Sequence, residues 1–346
     1  MLYVPVVSST GKPLMPCHPA RARELVRRGR ALRRFNRGAF YIRLLDRSDG
    51  EIQPVSVGID PGSKKEGYTV KSQARTYLNI NVDAVTWVKD HIKTRRQMRR
   101  ARRYRKTPCR PNRRNRARGG LSPSTKARWQ WKLRICRWLA KMFPISRFVV
   151  EDIKAVTKAG KRRWNSSFSP LEVGKRWFYT ELEKLAPVET KQGYETKELR
   201  DSAGLKKTSR KLAEVFEAHC VDSWVLANWY VGGHVRPDNT RLLCMTPLRF
   251  HRRQLHKLQP EVGGIRKPYG GTRSLGFKRG SLVKHAKLGL VYVGGFQKDR
   301  ISLHSVTTGK RLTQTAKPSD CQFLAFNSWR IRWATAERRE AHSSQM

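Results

Sequence analysis

The sequence predicts an α/β core followed by a separate, mostly β C-terminal domain. Three observations predict it. Apolar strand-like segments over 55–60, 67–70, 77–82 and 147–151 precede or alternate with helical patterns, the order expected of a sheet covered by helices. After Arg236-Pro237 the pattern changes to short alternating segments with Gly-rich turns. Finally, 38% hydrophobic residues, ten Trp among them, can bury a core across the two or three domains that 346 residues suggest.

Residues 2–8 read as a strand, 11–19 as a Pro-rich turn, 20–31 as a basic helix and 40–45 as a strand, making a small N-terminal module over 1–53. Within 54–92, the run 55–60 pairs with 67–70 across a Gly-containing turn, and 77–82 alternates as a third strand of a meander. From 93 to 106 nothing breaks a helix, until Pro108 and Pro111 end it. Arg95, Arg99, Arg102 and Lys106 stack on one of its faces, and Arg96, Arg100 and Arg103 on the next. Between Lys93 and Arg118, fourteen of twenty-six residues are Lys or Arg and none is acidic.

Trp131, Ile135, Trp138, Leu139 and Met142 then fall at helical spacing, an aromatic stripe that belongs to the core rather than to a base-stacking platform. Phe143-Pro144 stops that helix, and 147–151 is a buried strand. Further on, 171–185 reads as an amphipathic helix, 188–190 as a short strand and 212–229 as a long apolar helix. The segments 282–296 and 300–306 suggest a small β-barrel at the C-terminal end.

Charge narrows the partners. The 74 Lys and Arg outnumber 26 Asp and Glu, a formal +48, and such a chain repels itself unless it is assembled with a polyanion whose counterions it releases. No stretch has the apolar length of a spanning helix, and residues 1–8 lack the charged start and apolar run of a signal peptide, so an intracellular, cytoplasmic protein with no membrane partner is expected. The six Cys stand singly, without a CxxC pair, so free thiols and no zinc are expected.

Three acids and a histidine carry the chemistry. Asp60 ends the strand of Val57-Gly58-Ile59-Asp60-Pro61-Gly62, where the glycines would let a phosphate or metal approach the backbone. The same pattern opens the phosphate loop of actin-like ATPases, although no second Asp-x-Gly loop follows, and a strand-end Asp can also simply start a turn. Glu151 ends Phe148-Val149-Val150-Glu151, where burial of its charge needs a cation, with Asp152 competing for any role. His219 and Asp222 lie three apart on the 212–229 helix, along a largely apolar face where a histidine is often just a satisfied core residue. Taken together, Asp60, Glu151 and Asp222 would supply the cage for two magnesium ions about 4 Å apart, with His219 assisting proton transfer at an attacking water.

These segments resemble the split RuvC nuclease of type II CRISPR effectors and their transposon-encoded relatives. VGIDPGSKKEGYTV looks like the first RuvC motif, RFVVEDIKA the second and HCVD with its helix the third, while Gly11-Lys12-Pro13-Leu14-Met15-Pro16 is similar to the PLMP module of the IscB and IsrB group. IscB carries an HNH nuclease between the second and third motifs, and that nuclease takes histidine as its base. Residues 152–218 contain no histidine, so the chain looks like the IsrB group, the HNH-lacking form.

The resemblance implies an RNase H-like (RuvC) core split by an Arg-rich bridge helix. It divides the chain into a PLMP module at 1–53, RuvC-I at 54–92, the bridge helix at 93–118, RuvC-II at 119–155, a linker with a helix and strand but no HNH at 156–209, RuvC-III at 210–236, and a β domain at 237–346 that would hold an RNA stem and read a target-adjacent motif. It also implies that Arg95, Arg96, Arg99, Arg100, Arg102, Arg103, Arg105, Lys106, Arg110, Arg113 and Arg114 hold a guide (omega) RNA. The implied activity is that of a protein monomer within a ribonucleoprotein, nicking the displaced strand of target DNA beside a guide heteroduplex. Two other readings fit the charge or the acids alone: an RNA chaperone with a decayed RNase H-like fold, and a guide-independent transposase or resolvase.

Overall fold

The computed structural model describes residues 3–104, 121–152, 169–248, 258–259, 264–265, 273–327 and 329–334. Strands β1 (Val4–Val7), β2 (Pro13–Cys17), β3 (Ala31–Asn36) and β4 (Ala39–Leu44) form a sheet in the order β2-β1-β4-β3, packed on helix α1 (Pro19–Arg27). The segment expected as a Pro-rich turn is therefore strand β2. Prolines are tolerated there because it is an edge strand, where a missing N–H can face away from the ladder. Ala31, expected at the end of the basic helix, instead opens strand β3; Gly29, at φ 68°, ends α1 by adopting the left-handed conformation.

The core is a seven-stranded sheet. Strands β5 (Val55–Asp60), β6 (Lys65–Ser72) and β7 (Thr76–Asp83) form the antiparallel meander, and β8 (Arg147–Asp152) and β9 (Val188–Gln192) add to its other side in parallel. The local order β7-β6-β5-β8-β9 is the RNase H-like arrangement that the resemblance implied. Nearly every residue of β5 and β7 is buried, as expected of strands covered on both faces.

Helices α3 (Pro123–Leu139) and α4 (Pro170–Glu183) pack on each other through Trp129 and Phe178, with ring centroids 5.1 Å apart. On α3, Trp131, Ile135, Trp138 and Leu139 are buried, each side chain contributing roughly 1.5–3 kcal/mol, so the aromatic stripe is core. Helices α5 (Gly193–Ser202) and α6 (Phe216–Val231) follow β9. Helix α6 begins later than the periodicity suggested, leaving Leu212 outside it and 58% exposed. It runs directly across β5. A Cβ on Gly58 would lie 1.8 Å from the backbone oxygen of Ser223, so glycine is required there for the helix to come that close.

Helix α2 (Trp87–Tyr104) starts ahead of the basic run, at Trp87 rather than Lys93. Trp87 and Val88 pack against the core, whereas Arg95, Arg96, Arg99 and Arg100 are exposed and make no ion pair among the described residues.

The C-terminal region is mostly β, but its outline differs from the sequence reading in two ways. Strand β10 (Leu242–Pro247) pairs in parallel with β7, which extends the central sheet beyond 237. The chain then builds a five-stranded antiparallel sheet from β11 (Ser281–His285), β12 (Gly289–Gln297), β13 (Arg300–Ser305), β14 (Arg311–Ala316) and β15 (Cys321–Phe326). It returns as β16 (Trp329–Trp333), antiparallel to β10. Among the described residues the order β14-β13-β12-β11-β15 leaves β14 and β15 as edges, with no pairing between them that would close the expected barrel. Trp329 is buried edge-on against Trp131 and Trp138, at 5.5 and 5.9 Å between ring centroids.

Candidate metal centre

Three elements bring the acids together. Asp60 is the last residue of β5, Glu151 lies near the end of the parallel neighbour β8, and Asp222 lies on α6 where the helix crosses β5. Parallel pairing of β5 with β8 places both strand-end carboxylates at one end of the sheet. The ligand oxygens of Asp60, Glu151 and Asp222 all lie within 4.8 Å of one another. A set of three carboxylates suits a hard divalent cation such as magnesium, whose remaining positions are taken by water or phosphate oxygen.

The electrostatics show a site built for added positive charge. Burial, then the neighbouring Asp60 and Asp222 charges, push the Glu151 carboxyl up to about 8. Burial acts to raise Asp60 too, but the hydrogen bond from His219 and the charge of Lys207 outweigh it and hold Asp60 low. Glu151 therefore keeps its proton to higher pH than Asp60 does, because ionising a further carboxylate beside the Asp60 and Asp222 charges in a buried site is disfavoured.

His219 Nδ1 lies 2.9 Å from Asp60 Oδ2 and its Nε2 lies 2.9 Å from the Lys211 carbonyl oxygen. Both ring nitrogens are thus engaged, and the ring locks the end of β5 to α6 and the segment before it. Asp152, one residue from Glu151, does not join the cluster. Lys175 and Tyr179 donate to its Oδ1 at 2.7 and 2.9 Å and Gln192 to its Oδ2 at 3.2 Å, so it ties β8 to α4 and β9.

The glycines on either side of Asp60 are required by the packing of the protein itself. Gly58 admits α6, and a Cβ on Gly62 would fall 1.7 Å from the Lys65 carbonyl oxygen, so Gly62 serves the tight β5–β6 turn.

Two cations that the sequence did not single out complete the site. Arg200, in the last turn of α5, donates from Nη1 to Asp222 Oδ1 at 2.6 Å. Lys207, between α5 and α6, pairs closely with Asp222 Oδ2 and lies 3.5 Å from Asp60 Oδ2. Neither had a sequence signal: α5 was not foreseen, and Lys206-Lys207 looks like any solvated charge pair.

Of the residues expected to hold RNA, Arg95, Arg96, Arg99 and Arg100 lie on exposed α2. Arg102 and Arg103 belong to the same helix, while Arg105, Lys106, Arg110, Arg113 and Arg114 lie outside the described residues.

A family model described as "RRXRR protein" matches residues 4–166. The spelling Arg99-Arg100-Ala101-Arg102-Arg103 on α2 fits that pattern. Among solved structures, Thermus thermophilus RuvC in complex with Holliday junction substrate aligns at 15% identity and a TM-score of 0.29, covering 52% of this chain and 98% of that one. A second Thermus thermophilus RuvC structure aligns at 16% identity and 0.26, covering 50% and 90%. The yeast mitochondrial Holliday junction resolvase aligns at 13% and 0.26, covering 53% and 80%. No curated protein sequence matches the chain.

Proposed function

We propose that this protein is an RNA-guided DNA nickase of the IsrB type. Guide RNA pairs with one DNA strand, the basic surfaces hold the heteroduplex by its backbone, and the acid centre cuts the displaced strand beside a target-adjacent motif. One observation carries the reading: the polypeptide joining the strand of Asp60 to the strand of Glu151 contains a helix on which Arg95, Arg96, Arg99 and Arg100 are exposed without an ion-pair partner among the described residues. Fourteen Lys or Arg without an acid between 93 and 118 exceed what solubility of one helix needs. The exposed four are left for phosphate, on the connection between two candidate metal ligands.

In the proposed reaction Asp60, Glu151 and Asp222 would hold two magnesium ions, whose chemistry there would be Lewis acidity and activation of a water for attack on a phosphodiester. Asp60 is kept ionised and aimed by His219, and Glu151 would release its proton to solvent on serving as a ligand. Arg200 fixes one oxygen of Asp222. His219 orients Asp60 in the geometry described; proton transfer from the attacking water requires its Nε2 contact with Lys211 to open.

The test is to purify the protein after expression with its genomic flanks, sequence the RNA bound to it, and supply supercoiled DNA matching the guide segment with magnesium. One dominant structured RNA and a single nick in the non-target strand are expected. Asp60→Ala, Glu151→Ala and Asp222→Ala should each abolish nicking and leave RNA bound. Cutting without a guide would favour a resolvase or transposase, and RNA binding without any cutting would favour a chaperone.

A further inference from the structure

Asp222 has two cationic partners where a metal ligand needs at least one free oxygen. Arg200 reaches Oδ1 from a helix and is largely buried, so it is fixed in place. Lys207 takes the other oxygen and sits among those that the metal centre would use, touching Asp222 Oδ2 and lying 3.5 Å from Asp60 Oδ2. Its backbone belongs to neither α5 nor α6, and its side chain is 27% exposed, so a short rotation of a flexible stem takes the ammonium to solvent.

We infer that Lys207 is a built-in counter-ion of the acid centre: its ammonium holds Asp60 and Asp222 together without metal and is displaced when a divalent cation binds. This rests on the metal-centre reading above. The physical argument is that clustered carboxylates on a sheet end repel one another, and repulsion in a partly dry site would splay β5 from α6. Lys207 keeps the cage closed, at the cost of competing with the metal. Once displaced, it remains tethered beside the centre as a positive charge that a phosphodiester can meet. Metal entry and polyanion binding then favour each other, since each uses what the other releases.

The experiment titrates Mn2+ into the full chain, freed of nucleic acid, with Asp60→Asn as the baseline for binding elsewhere. Lys207→Gln should bind Mn2+ at this centre at least about tenfold more tightly than wild type, the scale of one adjacent charge acting on a carboxylate. Lys207→Arg should remain as weak as wild type, and Lys206→Gln, which removes an exposed charge one residue away, should change little. In the wild-type chain, acylation of Lys207 by an amine-reactive ester, read by peptide mass, should rise several-fold on Mn2+ addition while Lys206 stays constant.

Equal affinities for wild type and Lys207→Gln, equal tightening by Lys206→Gln, or unchanged Lys207 labelling in Mn2+-loaded protein would each overturn the counter-ion role and leave the metal centre standing. Binding of Mn2+ that Asp60→Asn does not weaken would instead overturn the metal centre, and the role of Lys207 with it.

Discussion

The carbonyl oxygen of Ser223 occupies the space where Gly58 would carry a Cβ, at 1.8 Å, so helix α6 and strand β5 meet backbone to backbone. That contact sets the distance between Asp222 and Asp60, which the same two elements carry. Gly58→Ala cannot be absorbed by side-chain rotation, because a Cβ has no rotamer and the Ser223 and Ala227 atoms it would meet are main chain. It should cost about 1–3 kcal/mol or more by overpacking and should weaken divalent-metal binding even in the fraction that stays folded. Chemical denaturation with and without Mn2+ checks both effects; unchanged metal affinity in folded protein would show that α6 spacing does not govern the cage.

The clustering of the three acids was legible because each candidate ligand sits where a regular element ends or faces inward. Asp60 and Glu151 each close an apolar run, and a strand that ends in a carboxylate announces both its length and its chemistry. Asp222 and His219 share an apolar helix, where a polar residue must have a partner. Lys207 and Arg200 were not legible, because their positions depend on a connection that folds back over the site and on a short helix with weak periodicity. Strands β10 and β16 were missed as parts of the core sheet for a related reason. They are short strands like the C-terminal strands between them, and only long-range pairing separates the two groups.

Glu151 makes the metal-free protein sensitive to pH in a definite direction. Its folded-state carboxyl is pushed up to about 8 from an ordinary value of 4.5, so the folded chain holds a proton that the unfolded chain has lost in between. The unfolded state binds fewer protons across that window, and stability therefore falls as pH rises from 4.5 toward 8. Glu151→Gln should remove this component of the pH dependence. Metal binding should run the opposite way, tightening toward pH 8 with proton release, and titration in buffers of different ionisation enthalpy reads the proton directly. A metal affinity that does not change with pH as the solution approaches the Glu151 value would contradict the raised Glu151 carboxyl.

The exposure of α2 separates binding from stability. Replacing Arg95, Arg99 and Arg102 together with Gln should reduce the salt slope of RNA binding by roughly 2, at about 0.7 per lost single-strand phosphate contact. The unfolding midpoint should move little, since Arg95 and Arg99 are exposed without ion-pair partners among the described residues. An unchanged slope would reduce this face to solvated charge.

A different lysine is structural. Lys132 of α3 and Glu66 of β6 are both buried and closely paired, with Tyr68 donating to the second Glu66 oxygen at 2.9 Å. Lys132→Met would leave a buried carboxylate facing no cation and should cost about 3–5 kcal/mol, whereas Lys132→Met with Glu66→Leu should recover much of it because the pair's desolvation penalty disappears with its attraction. Full recovery is not expected, since Tyr68 then loses its acceptor. Denaturant midpoints of the two single variants and the double variant measure the coupling. Independent, additive losses would mean that the pair does not act as a unit, and that α3 is held to the meander by its aromatic residues alone.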